Sequence, residues 1–155
     1  MRILFFGDIY GKPGRKAVKR FLPEYRQLNQ IDLCIANCEN LADGKGVTEN
    51  TLNEMVDVGV SIFSAGNHLY DRKEGLAMIE TTKIIARPLN FPSASPGPEY
   101  VIIKVKNCDV MLLSLCGQAF MKTVDSPFLA LEKFLNNFPQ LPKCIIVDFH
   151  AESTA

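Results

Sequence analysis

A carboxylate flanked by side-chain amides, placed where an apolar strand ends, is suited to holding a hard metal ion. Ile31-Asp32-Leu33-Cys34-Ile35-Ala36-Asn37-Cys38-Glu39-Asn40 has that form. It begins with the composition of a buried strand and ends in a mostly polar tetrad. The carboxyl ends of strands in an open α/β sheet are where ligands and metals bind. Oxygen donors from Glu and Asn are what divalent and trivalent metals need. The same transition recurs elsewhere. Ile3–Phe6 runs into Gly7-Asp8, Val60–Ala65 into Gly66-Asn67-His68, and Cys144–Val147 into Asp148-Phe149-His150. Apolar strands thus deliver Asp8, Glu39 with Asn40, Asn67 with His68, and His150 toward one sheet edge. An imidazole beside such a centre can supply a proton.

The elements that would position these residues follow from the periodicity. Strands are expected at Arg2–Phe6, Ile31–Ala36, Val60–Ala65 and Ile84–Ala86. A helix with an apolar face of Ala17, Val18, Phe21 and Leu22 should have Pro13 in its first turn and kink or end at Pro23. Thr48 is a plausible N-cap for a helix marked by Leu52, Met55 and Val56, which Gly59 closes. A short helix over about Arg72–Thr81 turns Leu76 and Ile79 inward. Pro88–Pro98 is too irregular for either period and long enough to be functional or mobile. Tyr100–Val105 and Val110–Leu115 flank Lys106-Asn107-Cys108-Asp109 as an antiparallel hairpin. The loop Gly117–Pro127 precedes a helix at about Leu129–Asn136, and Cys144–Phe149 is the last strand. This alternation, followed by a hairpin, predicts an α/β sandwich with a mixed sheet.

The 155 residues are 47% hydrophobic. A single domain of this size buries roughly 70% of its unfolded surface. The formal charge is zero and no Lys/Arg run stands out, so no strong nucleic-acid-binding surface is expected. No stretch approaches the ~20 apolar residues of a membrane span, and no signal peptide is visible. A soluble, cytoplasmic protein is expected. The five cysteines (Cys34, Cys38, Cys108, Cys116 and Cys144) match no zinc-module spacing and read as reduced, mostly buried thiols. Cys38 stands out only for its position beside Glu39.

Gly7-Asp8-Ile9-x-Gly11-Lys12-Pro13-Gly14-Arg15, Asn37-x-Glu39-Asn40, Gly66-Asn67-His68, the pairs Phe120-Met121 and Pro127-Phe128, and Asp148-Phe149-His150-Ala151-Glu152 appear in that order along the chain. This set resembles the calcineurin-like metallophosphoesterases, and more closely the YmdB-type phosphodiesterases, from residue 1 to 155. The resemblance implies a metallophosphoesterase-like fold and a dinuclear centre of iron or manganese, with zinc also compatible. On the matching positions, Asp8 and Asn40 would ligate one metal, Glu39 would bridge both, and Asn67 and His150 would ligate the second. His68 would protonate the leaving oxygen. It also implies a small phosphodiester substrate, such as a 2′,3′-cyclic nucleotide or an RNA-derived species. Two metals clamp the attacking and leaving oxygens of an in-line displacement and activate water near neutral pH.

The chain departs from that pattern in one respect. The family carries a Gly-x-His-x-His-type element downstream of His150, whereas this chain has only two histidines, His68 and His150. The last strand also ends where the alternation calls for another helix. The expectation is therefore a domain incomplete at its C-terminus, with a weakly held first metal. Activity should be low unless donors come from a longer product or a second polypeptide. An exposed sheet edge would also favour association of copies into a homo-oligomer.

Rival readings are weaker or less specific. Gly7–Lys12 is one residue short of a Walker loop, Pro13 replaces its Ser/Thr, and Gly7, Gly11 and Gly14 do not make GxGxxG. Asp8 could instead cap a helix, His68 lie on the surface, and Asn67 or His150 be ordinary turn or strand-end residues. Asn37, Asp71, Asp148 and Glu152 read as structural or supporting residues. The alternative from another class is a non-catalytic metal-binding or ligand-binding module that keeps the fold.

Overall fold

The computed structural model describes residues 1–153. The order is β1 (Ile3–Asp8), α1 (Gly11–Leu28), β2 (Leu33–Asn37), α2 (Glu49–Asp57), β3 (Ile62–Ser64), α3 (Lys73–Thr81), β4 (Ile85–Ala86), β5 (Tyr100–Val105), β6 (Cys108–Cys116), α4 (Pro127–Asn137) and β7 (Cys144–His150). The first four strands form a parallel sheet in chain order. The last three form a second sheet, β6 being antiparallel to β5 and parallel to β7.

Strand parity builds two cores from one sequence. Successive side chains of a strand face opposite ways. Cys34 and Ala36 of β2, with Phe63 of β3, pack toward Val18, Leu22, Leu52, Met55 and Ile79 of the helices. Leu33 and Ile35, with Ile62, pack the other way against Val101, Val105, Val110 and Leu112 of the second sheet. Full burial of each Val, Leu, Ile, Met or Phe side chain among these stabilises by about 1.5–3 kcal/mol. β2 is buried along its whole length, which a strand covered on both faces requires.

The α/β sandwich is as expected, but the mixed pairing is confined to the second sheet. The first is wholly parallel. Several boundaries also differ. β1 extends to Asp8, and β2 and β3 are shorter than their apolar runs. β6 begins at Cys108, because the turn between β5 and β6 needs only Lys106 and Asn107, with Lys106 at φ +54°. Thr48 caps α2 through a reciprocal box with Thr51, and Gly59 follows that helix at φ +106°. Ile79 is buried as expected, whereas Leu76 is only half-buried.

Pro23 neither ends nor bounds α1, which runs on to Leu28. Pro23 lies on the exposed face, where a carbonyl deprived of its partner can turn to water. Leu22 on the opposite face is fully buried. Beyond the proline, Arg26 Nη1 donates to Gly59 O at 2.8 Å, and Phe21 stacks on Tyr25 at 4.5 Å. These contacts outweigh the lost backbone bond.

All five cysteines are free, with Cys34, Cys38 and Cys116 buried. Burial pushes the Cys34 thiol to about 11 and the Cys116 thiol to about 12, and raises that of Cys38 further. These thiols are therefore poor nucleophiles. Among the described residues, no helix is long and apolar enough to cross a membrane.

Candidate metal centre

The inter-sheet face is apolar through most of its length and becomes polar at one end. Continuing the parity of Leu33 and Ile35 brings Asn37 onto it, and Ile62 is followed by Ser64. The second sheet supplies Ser114 and Asp148, which are register partners. Asp148 Oδ2 accepts from Asn37 Nδ2 at 2.9 Å and from Ser64 Oγ at 2.6 Å. Ser114 Oγ donates to Ala65 O. The two sheets are thus tied together by polar bonds directly beneath the strand ends.

Asn37 also shapes the turn above it, its Oδ1 accepting from Glu39 N at 3.0 Å. Cys38 N donates to Ser64 O at 2.9 Å. Glu39, fully buried, is thereby held between the sheets. Its Oε1 lies 2.8 Å from His150 Nε2, and its Oε2 accepts from His68 N at 3.2 Å. A side chain at Gly66 would invade this contact: its Cβ would lie 2.6 Å from the His150 ring. Gly66 is the space into which Glu39 and His150 converge.

Asp8 arrives from β1. The pairing of β1 with β2 is irregular between Phe6 and Asp8, and Asp8 is the partner of Asn37. It does not cap α1, whose N-terminus has no side-chain cap. Instead Asp8 Oδ2 accepts from Asn40 Nδ2 at 2.7 Å, and the same amide nitrogen lies 3.3 Å from Glu39 Oε1. Arg15 steadies this turn from α1. It is buried, donates through Nη1 to Leu41 O, and through Nε to Glu54 Oε2 at 3.1 Å.

Two observations test whether a cation fits. Asn40 Oδ1 and Asn67 Oδ1 are buried without a hydrogen-bond partner, although buried amide oxygens ordinarily find one. A cation would satisfy both. The Asp8 carboxyl is raised above its ordinary value, first by desolvation and then by the charge of Glu39, against lowering by the Asn40 bond and by His150 and His68. His150 is raised, chiefly by its hydrogen bond to Glu39 and against the effect of burial. The Glu39 carboxylate thus favours positive charge beside it, which a metal ion could equally supply. Among the described residues, no three His, Cys, Asp or Glu side chains are grouped closely enough to form a site on their own. The amides of Asn40 and Asn67 must therefore be counted as donors, and with them the set fits an oxygen-rich cation site.

His68 is not an ordinary surface histidine. Its Nδ1 lies 2.6 Å from Asp71 Oδ2, across the turn formed by the intervening residues. Asp71 Oδ1 accepts from Lys122 Nζ at 3.1 Å, and Lys45 Nζ lies 3.5 Å from Oδ2. Burial raises the Asp71 carboxyl, but bonds with His68 and Lys122 outweigh it and hold it below the ordinary value.

All the residues singled out from the sequence (Asp8, Glu39, Asn40, Asn67, His68 and His150) converge at this end of the sandwich. Sequence reasoning missed Ser64 and Ser114, gave Arg15 no role beyond its place in the opening motif, and left Asp71 and Asp148 without a particular partner. Strand parity could have found the serines and Asp148, since they continue the inter-sheet positions of their strands.

A sequence profile of the YmdB-like proteins matches residues 4–155. The chain is 35% identical over 155 residues to a Bacillus subtilis protein named 2′,3′-cyclic-nucleotide 2′-phosphodiesterase, covering all of this chain and 59% of that one. A crystal structure of a Thermus thermophilus protein superposes with a TM-score of 0.91 at 37% identity, over 99% of this chain and 59% of its own. One described as a novel phosphatase from Mycoplasma pneumoniae gives 0.90 at 30%, over 98% and 56%. The chain therefore spans somewhat under three-fifths of the length of these relatives. With the profile matching nearly every residue, the chain belongs to the YmdB-like family.

Proposed function

We propose that this chain carries the metal-binding face of a phosphodiesterase acting on small phosphodiesters of the 2′,3′-cyclic nucleotide type. The observation that carries the reading is the buried Glu39 carboxylate in contact with His150 and the His68 backbone, with the unpaired amide oxygens of Asn40 and Asn67 alongside. The name of the Bacillus subtilis relative supplies the substrate class. Asp8 and Asn40 would hold one metal, Asn67 and His150 the other, with Glu39 shared. Iron or manganese suits such mixed oxygen and nitrogen donors, and zinc is compatible. When bound, the metal pair supplies Lewis-acid stabilisation of the phosphoryl oxygens and lowers the pKa of water.

The chain's own residues supply the rest. Asp71 accepts from His68 Nδ1 and fixes the ring, so the imidazolium form presents its Nε2 proton to the departing alkoxide. Lys122 and Lys45 moderate the Asp71 charge. Asn37 and Asp148 hold the Glu39 turn against the second sheet.

A specific observation favours a second reading, a metal-binding module with little catalysis. With two histidines in the chain, the first metal receives only oxygen donors from Asp8, Asn40 and Glu39. Further donors from a longer product or a second copy would tighten it. Incubation with 2′,3′-cyclic AMP and added manganese, with product identification, separates the readings. Hydrolysis that His68→Ala abolishes while metal stays bound supports the enzyme. Absence of hydrolysis by metal-loaded protein supports the module.

A further inference from the structure

We propose that Phe120 is the stacking surface for the nucleobase of the substrate, an inference that rests on the phosphodiester reading above. The segment that follows β6 arches across the candidate centre. At its start, Gly117 N donates to His150 O at 2.8 Å. At its far side, Lys122 Nζ reaches Asn67 O at 3.3 Å and Asp71 at 3.1 Å. The arch therefore joins the His150 end of the site to the Asn67–His68 end. A turn between Gln118 and Met121 closes at 3.3 Å, and Phe120 lies within it.

Phe120 is unfavourable there on two counts. The residue is 93% exposed, and its backbone sits at φ +60°, a conformation that bulky residues rarely adopt. Such strain at a binding loop is retained where the position serves a ligand. A phosphodiester held at the centre would have to send its base outward, toward the segment anchored at His150 and Asn67. Aromatic rings stack on any base, and removing one such ring weakens binding about 5- to 100-fold.

The test compares 2′,3′-cyclic AMP with ribose 2′,3′-cyclic phosphate lacking the base, by equilibrium binding with manganese present. Phe120→Ala and Phe120→Asn should each reduce the preference for the base-bearing ligand about 5- to 100-fold, and Phe120→Trp should retain it. Asn accommodates the left-handed backbone without a ring. A preference kept in Phe120→Asn but lost in Phe120→Ala would assign the effect to loop conformation and overturn the proposal. Equal affinity of wild type for both ligands would overturn it alone. Failure of wild type to bind either would overturn the phosphodiester reading and this inference with it.

Discussion

His150 Nε2 and Glu39 Oε1 stand 2.8 Å apart across the seam between the two sheets. Each comes from the end of a different sheet's strand, and the absence of a side chain at Gly66 lets them meet. Gly66→Ala would push a methyl group against the His150 ring. The Glu39 carboxylate could avoid it only by leaving His150 and His68 N. The variant should lose about 1–3 kcal/mol of stability and most of its metal. Wild-type melting temperature and metal content in Gly66→Ala would contradict this account of the site.

Asp148 is the polar link beneath that pair. Asp148→Ala removes the acceptor that Asn37 Nδ2 and Ser64 Oγ share. Unsatisfied buried donors cost about 1–3 kcal/mol each, so denaturant unfolding should report a loss of about 2–6 kcal/mol for the two. A loss within the scatter of surface substitutions would show that the sheets do not depend on this link.

Asp71 acts through His68. Asp71→Asn should lower kcat for a phosphodiester about 10- to 100-fold with KM and metal content unchanged. Equal loss of metal and activity would instead give Asp71 a structural role.

The Arg15–Glu54 contact gives a pH prediction. The hydrogen bond from Arg15 holds the Glu54 carboxyl below the ordinary glutamate value. A group lowered on folding contributes stability above its unfolded pKa and loses it as pH falls through the folded value. Glu54 is more than a third exposed, so solvent screening keeps the contribution to about 0.5 kcal/mol or less. Stability of Glu54→Gln should fall less steeply than wild type below about pH 5, as measured by chemical denaturation. Parallel curves would remove the contact from the stability account.

Much of this arrangement was legible because the strand ends carry residues that a core does not need. Asp8, Glu39, Asn40 and His150 each follow an apolar run, so strand geometry alone sends them to the carboxyl ends of strands, although His150 belongs to the second sheet and not to the one edge expected. Thr48 and Gly59 were equally readable, since capping and positive φ are local demands. The partition into two sheets was not, because it depends on where β4 ends and how the long segment after it crosses to β5. Pro23 misled because helix breaking is a local rule, overridden here by the burial of Leu22 and the anchoring of Arg26. The pairing of His68 with Asp71 depends on a turn whose closure the residue types do not dictate. The role of Arg15 was hidden because a buried arginine is unusual, and its partners Leu41 O and Glu54 lie far along the chain.

The measurement that bears most directly on the central claim is metal content per chain, by elemental analysis of protein purified without chelator and then equilibrated with manganese or iron. Wild type is predicted to hold at least one equivalent, occupancy of the oxygen-only position being the weaker, and Glu39→Ala to hold none while remaining folded. No bound metal in folded wild type, or equal content in wild type and Glu39→Ala, would contradict the assignment of this strand-end cluster as a metal centre.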